Sequence, residues 1–175
     1  MTHEELITLL TEKLDEAEAL LGKCKNGDRI SITKKICYVN DELEELAVWD
    51  PDKDSALMAE LHVSSPDKRG DDAPEISFVM ALEYADGTFP YDEDIQEELM
   101  AFDGEIDMFL PRLSAAEDID EFIAKERIRQ DKEAEMARMN LQKMMEKVQK
   151  YSRLALAGII ALTVILTLLF TVIFK

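Results

Sequence analysis

Leu6, Leu10, Leu14, Ala17 and Leu21 recur at helical spacing, and Gly22 follows them as a stop. Thr2 and Glu5 stand ahead of that run in the T-x-x-E form of a capping box, which predicts a first helix over 3–22. Asn26-Gly27 supplies a turn. The period of the pattern then falls from 3.6 to 2. Ile30, Ile32, Ile36 and Tyr38 share one parity, as do Leu57, Ala59, Leu61 and Val63, and again Ile76, Phe78, Met80, Leu82 and Tyr84. Such alternation, rich in β-branched and aromatic residues, predicts half-buried strands of an antiparallel sheet. The segment Leu43–Trp49 could begin a helix. It reads as a further strand because Asp50-Pro51-Asp52-Lys53-Asp54 has the composition of a hairpin connection. Ser64 to Pro74 reads as a solvated loop, and four strands in meander order are expected.

Helical spacing resumes after Asp86-Gly87. Ile95, Leu99, Phe102, Ile106, Phe109 and Leu113 form one stripe that Gly104 does not put out of phase, and Pro111 is expected to end or kink that helix. Ser114 and Glu117 offer a second capping box, opening a helix that carries Ile119, Phe122 and Ile123. From Lys125 to Glu133 only Ile128 is a large apolar residue, so this stretch is expected to be a solvated helical spacer. Beyond it Ala134, Ala137, Leu141, Met144, Met145, Val148 and Tyr151 fall on one helical face, with Lys143, Lys147 and Lys150 opposite.

The pattern ends on Leu154 to Phe174, 21 residues without a charge, Asn, Gln, His or Pro. At about 1.5 Å per residue such a helix reaches about 32 Å, enough for a bilayer core of about 30 Å. The expected architecture is therefore α+β: an N-terminal helix, a four-stranded antiparallel meander, two or three following helices, and a long stalk helix running into a C-terminal transmembrane helix. Its divisions are an acidic domain over 1–124, a charged amphipathic stalk over 125–153 and an anchor over 154–174. Residues 1–20 lack the basic start and apolar run of a secretory signal, so insertion is expected after synthesis, as in a tail-anchored single-pass protein. Lys143, Lys147, Lys150 and Arg153 form a basic collar before the span, against Lys175 alone after it, and this places the N-terminal body in the cytoplasm.

The net charge of −18 conceals a division. Residues 1–124 balance at −23 and residues 125–175 at +5. An acidic head of this kind repels nucleic acid and an anionic leaflet, while the collar is drawn to that leaflet by about 1 kcal/mol per Lys or Arg. The acidity serves solubility, and it also suits the docking of basic protein partners.

Candidate chemistry changes the picture little. Cys24 and Cys37 are the only cysteines, neither in a C-x-x-C pair, and with only His3 and His62 they make no zinc set. Asp50, Asp52 and Asp54 open like a calcium loop, but Ser55 stands where the turn needs Gly and Leu61 where a bidentate Glu is needed. Asp92, Glu93 and Asp94 fit a helix first turn, where carboxylates complement the dipole. His62 alternates outward from Leu61 and Val63. No phosphate loop, nucleophile elbow or dinucleotide fingerprint is present, so no catalytic, metal or cofactor residues are assigned and no cofactor is expected.

The interaction surfaces are more telling. Leu141, Met144, Met145, Val148 and Tyr151 suit a parallel coiled-coil homodimer or a partner helix, with contact to the headgroups as a third use. In the apolar segment, whose ends are Leu154 and Phe174, Ala157 and Ala161 flank Gly158 at small-xxx-small spacing, and Thr163, Thr167 and Thr171 form a second ridge. Those threonines also suit bonds to their own helix carbonyls. The function expected is protein–protein interaction by an adaptor, regulator or accessory subunit held at a membrane. The alternative is a tethered enzyme or small-ligand domain with a site in a sheet–helix groove near Trp49, His62 and Asp92.

Overall fold

The computed structural model describes residues 1–40, 44–46, 55–66, 74–84 and 88–173, the side chains of Ser55 and of residues 150–173 excepted. Helix α1 spans His3–Lys23 and opens with the reciprocal capping box: the Glu5 amide donates to Thr2 Oγ1 at 3.2 Å and the Thr2 amide to Glu5 Oε2 at 2.7 Å. Its stripe of Leu6, Leu10, Leu14, Ala17 and Leu21 is buried. Each leucine so enclosed contributes roughly 1.5–3 kcal/mol of transfer free energy. A single 3-10 turn, Gly27–Arg29, leads into the sheet.

Strands β1 (Ser31–Asn40), β2 (Glu45–Leu46), β3 (Ser55–Ser64) and β4 (Glu75–Tyr84) form one antiparallel sheet. Its order is β2-β1-β3-β4, not the meander expected from the sequence. Of the expected second strand, Leu43 and 47–49 lie outside the described residues, and Glu45–Leu46 pair at the sheet edge through Tyr38–Leu46 and Val39–Glu45. β3 instead pairs with β1 along ten residues, from Ser31–Ser64 to Asn40–Ser55. The long ladder wins because it satisfies many more backbone groups and aligns the apolar parity of β1 with that of β3.

Helix α2 spans Asp92–Ala115 and buries Ile95, Leu99, Phe102, Ile106, Phe109 and Leu113. Pro111 lies inside it, and the helix continues to Ala115 instead of ending there. The next helix, α3, spans Ile119–Ile173 and is not opened by Ser114. Asp118 takes that place: its Oδ1 accepts from the Glu121 amide at 3.0 Å and its carbonyl from the Phe122 amide at 3.0 Å. Ser114 is still within the last turn of α2, so its hydroxyl stands one turn too early to cap α3.

The helices cover one face of the sheet. Leu57, Ala59, Leu61 and Val63 of β3 and Ile76, Phe78, Met80, Leu82 and Tyr84 of β4 join the buried stripes of α1 and α2 in a single core, with Ile119 and Ile123 of α3. Phe78 meets Phe109 edge-on with ring centroids 5.1 Å apart. The opposite parity, with Glu60 and His62 on β3 and Ser77, Val79 and Ala81 on β4, faces away from the core.

The chain divides into two compact units, Met1–Ile128 and Arg129–Lys175. In the first, Arg112 Nη1 donates to the largely buried Glu126 at 2.6 Å. The second is helical, with Arg129 and Glu133 paired one turn apart at 2.5 Å. Among the residues whose side chains are described no helix is long and apolar enough to cross a membrane, and the expected span over 154–174 falls on residues outside that set. The side chains of Leu154, Ala161, Thr163, Thr167 and Thr171 lie outside the described residues, as do those of Lys150, Tyr151 and Arg153, the surroundings of Gly158 and the whole of Phe174. Trp49 and the Asp50–Asp54 segment lie outside them as well.

Candidate functional site

Three places bring polar or unpartnered groups together. The first is the free side of β4. This strand pairs with β3 on one side and has no strand on the other among the described residues. Beside it, the first turns of α2 and the preceding segment leave a groove of about 350 Å³. The groove is lined by β4 residues such as Ala81 and Glu83, by Phe89, Pro90 and Tyr91, and by Asp94, Glu97 and Glu98. α2 starts here because Tyr91 is extended and its carbonyl takes the Ile95 amide at 3.1 Å, with Asp92, Glu93 and Asp94 in the first turn. Glu98, one turn further on, reaches the strand: its Oε2 accepts from the Ala81 amide at 3.3 Å.

The second place is a cluster around His62. Nδ1 lies 3.0 Å from Ser77 Oγ and 3.4 Å from Glu75 Oε1, and Nε2 lies 3.2 Å from Glu60 Oε2. The β3–β4 register creates it, since His62 pairs directly with Ser77. A hydroxyl, an imidazole and a carboxylate in sequence are the ingredients of nucleophilic catalysis. Here both ring nitrogens are already engaged, and the cluster is on the sheet face that points away from the core, outside the groove. The structure does not bring His62 and Asp92 together. Seven residue steps along β4 lead from Ser77 to Tyr84, at the end where α2 begins, which is about 23 Å at about 3.3 Å per residue.

The third place is the stalk. Leu141, Met144, Met145 and Val148 are 56–64 % exposed, so the face expected to bind a partner is uncovered in the single chain. Lys143 and Lys147 of the collar are exposed as well.

Cysteine and metal chemistry add nothing. Cys24 and Cys37 are free thiols, partly buried. Burial, then a hydrogen bond with Glu45, pushes the Cys37 thiol up from its ordinary range, away from a reactive thiolate. Among the described residues no group of three or more His, Cys, Asp or Glu could hold a metal ion.

The hydropathy pattern does not point to the groove residues Glu98, Phe89 and Tyr91 or to the Ser77–His62 pairing. Glu60 and His62 share a strand parity and were findable. Ser77 and Glu98 come in only through a register and a sheet edge that alternation does not encode. No protein family, no curated protein and no solved structure matches the chain.

Proposed function

We propose that the protein is a protein–protein interaction subunit, an adaptor or regulator, held at a membrane by residues 154–174 with its acidic domain in the cytoplasm. The observation that carries this reading is the exposed apolar face of Leu141, Met144, Met145 and Val148, set against exposed Lys143 and Lys147. Four large apolar side chains left in water on one helix call for cover by another helix. That cover is a second copy of this chain or a helix of a partner protein, and the methionines adapt to either. The bilayer anchorage rests on the uncharged run Leu154–Phe174 and the lysine-rich flank before it. Confinement to a membrane raises the effective concentration of a partner in the same membrane.

A tethered enzyme is the second reading, and its support is the His62–Ser77–Glu60 chain of contacts. Proximity labelling with the full chain, compared with a chain lacking 154–175 and with Leu141→Ser/Met145→Ser/Val148→Ser, separates the two. The adaptor reading expects a defined set of labelled neighbours that shrinks in both variants. An unchanged set, with unchanged crosslinking of the chain to itself, would sink it.

A further inference from the structure

Among the described residues β4 is the last strand of the sheet, and two contacts give the direction of its backbone groups. The Ala81 amide leaves the ladder to donate to Glu98 Oε2 at 3.3 Å, and the Glu75 carbonyl accepts from Arg127 Nη1 at 3.4 Å. Both residues therefore turn their backbone groups outward. By the two-residue repeat of an antiparallel strand, Ser77, Val79 and Glu83 do the same. Both contacts are long beside the usual 2.9–3.0 Å of a ladder bond. They are made by side chains that can swing aside, so the edge is covered by weak substitutes for a strand.

We propose that this outer edge of β4 is a strand-addition site that takes an extended, lysine- or arginine-bearing segment of a partner protein. The assignment rests on the interaction reading given above and carries it to the head of the molecule. An added strand would satisfy the outward amides and carbonyls in place of Glu98 and Arg127, which is how main-chain recognition at a sheet edge works. Alternate side chains of that strand would point to the helical side of the sheet, where the groove begins. That groove contains Glu83, Asp94, Glu97 and Glu98 and no Lys or Arg, beside the rings of Phe89 and Tyr91. Its charge selects cationic side chains, and the rings accept their aliphatic stems or their charge.

The same charges argue against a second copy of this strand. An antiparallel β4–β4 pair centred on Val79 would set Glu75 opposite Glu83 at both ends, and like charges directly opposite destabilise a pair. With that register disfavoured and the groove acidic, the partner that fits is a different, basic segment.

The test uses the full chain in detergent micelles and a seven-residue peptide of alternating Lys and Val. Two control peptides accompany it, one of alternating Glu and Val and one of Lys and Val with every amide N-methylated. The Lys–Val peptide is expected to bind and to slow amide exchange of Val79 and Ala81 at least tenfold. The Glu–Val and N-methylated peptides are expected to bind at least tenfold more weakly. Val79→Pro removes one outward amide on an edge strand, where proline is tolerated, and should cost binding at least tenfold. Glu83→Lys/Glu97→Lys changes two exposed positions and should exchange the preference toward the Glu–Val peptide, which checks the site independently should Val79→Pro disturb the fold. Equal binding of the N-methylated peptide, or unaltered exchange on β4, would overturn the proposal in favour of unspecific attraction to an acidic surface. Absence of Lys–Val binding would overturn it too. Neither result touches the labelling experiment on the stalk, so the failure of one reading is distinct from the failure of the other.

Discussion

The side-chain amide of Asn26 donates to the Leu113 carbonyl at 2.7 Å, across 87 residues of sequence. A second bond from the same nitrogen reaches the Ala116 carbonyl at 2.8 Å. One 4 % exposed asparagine thus satisfies carbonyls at the C-terminal end of α2 and ties the turn after α1 to it.

Asn26→Ala is expected to lower stability by about 1–3 kcal/mol, because it removes both donors from a buried place. Asn26→Asp should cost at least as much, since a carboxylate cannot donate to a carbonyl. Urea unfolding read by circular dichroism gives both differences from the midpoint and slope.

The neighbouring glycines should respond in opposite directions. A Cβ at Gly27 would lie 2.4 Å from the Leu21 carbonyl oxygen and 2.5 Å from that of Gly22, whereas a Cβ at Gly22 meets nothing within 4 Å. Gly27→Ala must push backbone against backbone and should destabilise by about 2 kcal/mol or more. Gly22→Ala, in the last turn of α1, should stabilise by up to about 1 kcal/mol through helix propensity. Thermal midpoints of the two variants moving the same way would refute this account.

Tyr84 and Tyr38 set the alkaline limit of the fold. The His3 ring stacks on Tyr84 with centroids 5.2 Å apart, and its Nδ1 lies 3.2 Å from the Tyr84 hydroxyl and 3.4 Å from that of Tyr38. Burial raises both phenols above their ordinary range, and for Tyr84 the nearby Tyr38 adds to it. A folded pKa above the unfolded value of about 10 gives a contribution that is complete below pH 10 and lost as pH rises beyond it. Lys13, held up chiefly by its hydrogen bond to Asp103, and Lys34, held up by Asp15 and Glu18, act in the same sense. Unfolding free energy is therefore expected to fall above pH 10, and less steeply in Tyr84→Phe. Tyrosinate absorbance should report Tyr38 and Tyr84 ionising late.

Arg112 and Glu126 predict an asymmetry. Glu126 is 8 % exposed, and Arg112 also donates through Nε to the Met108 carbonyl at 3.0 Å. Arg112→Met removes a cation from beside an enclosed carboxylate and should cost about 2–4 kcal/mol. Glu126→Gln keeps an acceptor for Arg112 and should cost less. The order of the two unfolding midpoints decides the matter.

Periodicity made the elements legible but not their neighbours. The capping box at Thr2, the stripe from Leu6 to Leu21 and the parity of Leu57–Val63 and Ile76–Tyr84 all come from local spacing, and each is present in the folded chain. The order β2-β1-β3-β4 depends on which edge of β1 receives the longer partner, and no residue of β1 announces that. Pro111 does not end α2, because the burial of Leu113 beyond it offsets the lost bond to the carbonyl four residues earlier and the crowding of the ring there. Asn26 looked like an ordinary turn residue, and its use becomes visible only once the end of α2 is beside it.

The sheet order also sets a timetable for synthesis. α1 is made before the sheet and α2, yet its leucine stripe is sealed by β3 and α2, and β1 obtains its ten-residue partner only when β3 is complete at Ser64. At about 5–20 residues per second, the 92 positions from Lys23 to Ala115 take roughly 5–20 s. For that interval the nascent chain carries an oily helix without cover, and its many early carboxylates are what keep it in solution until the last wall of the core arrives.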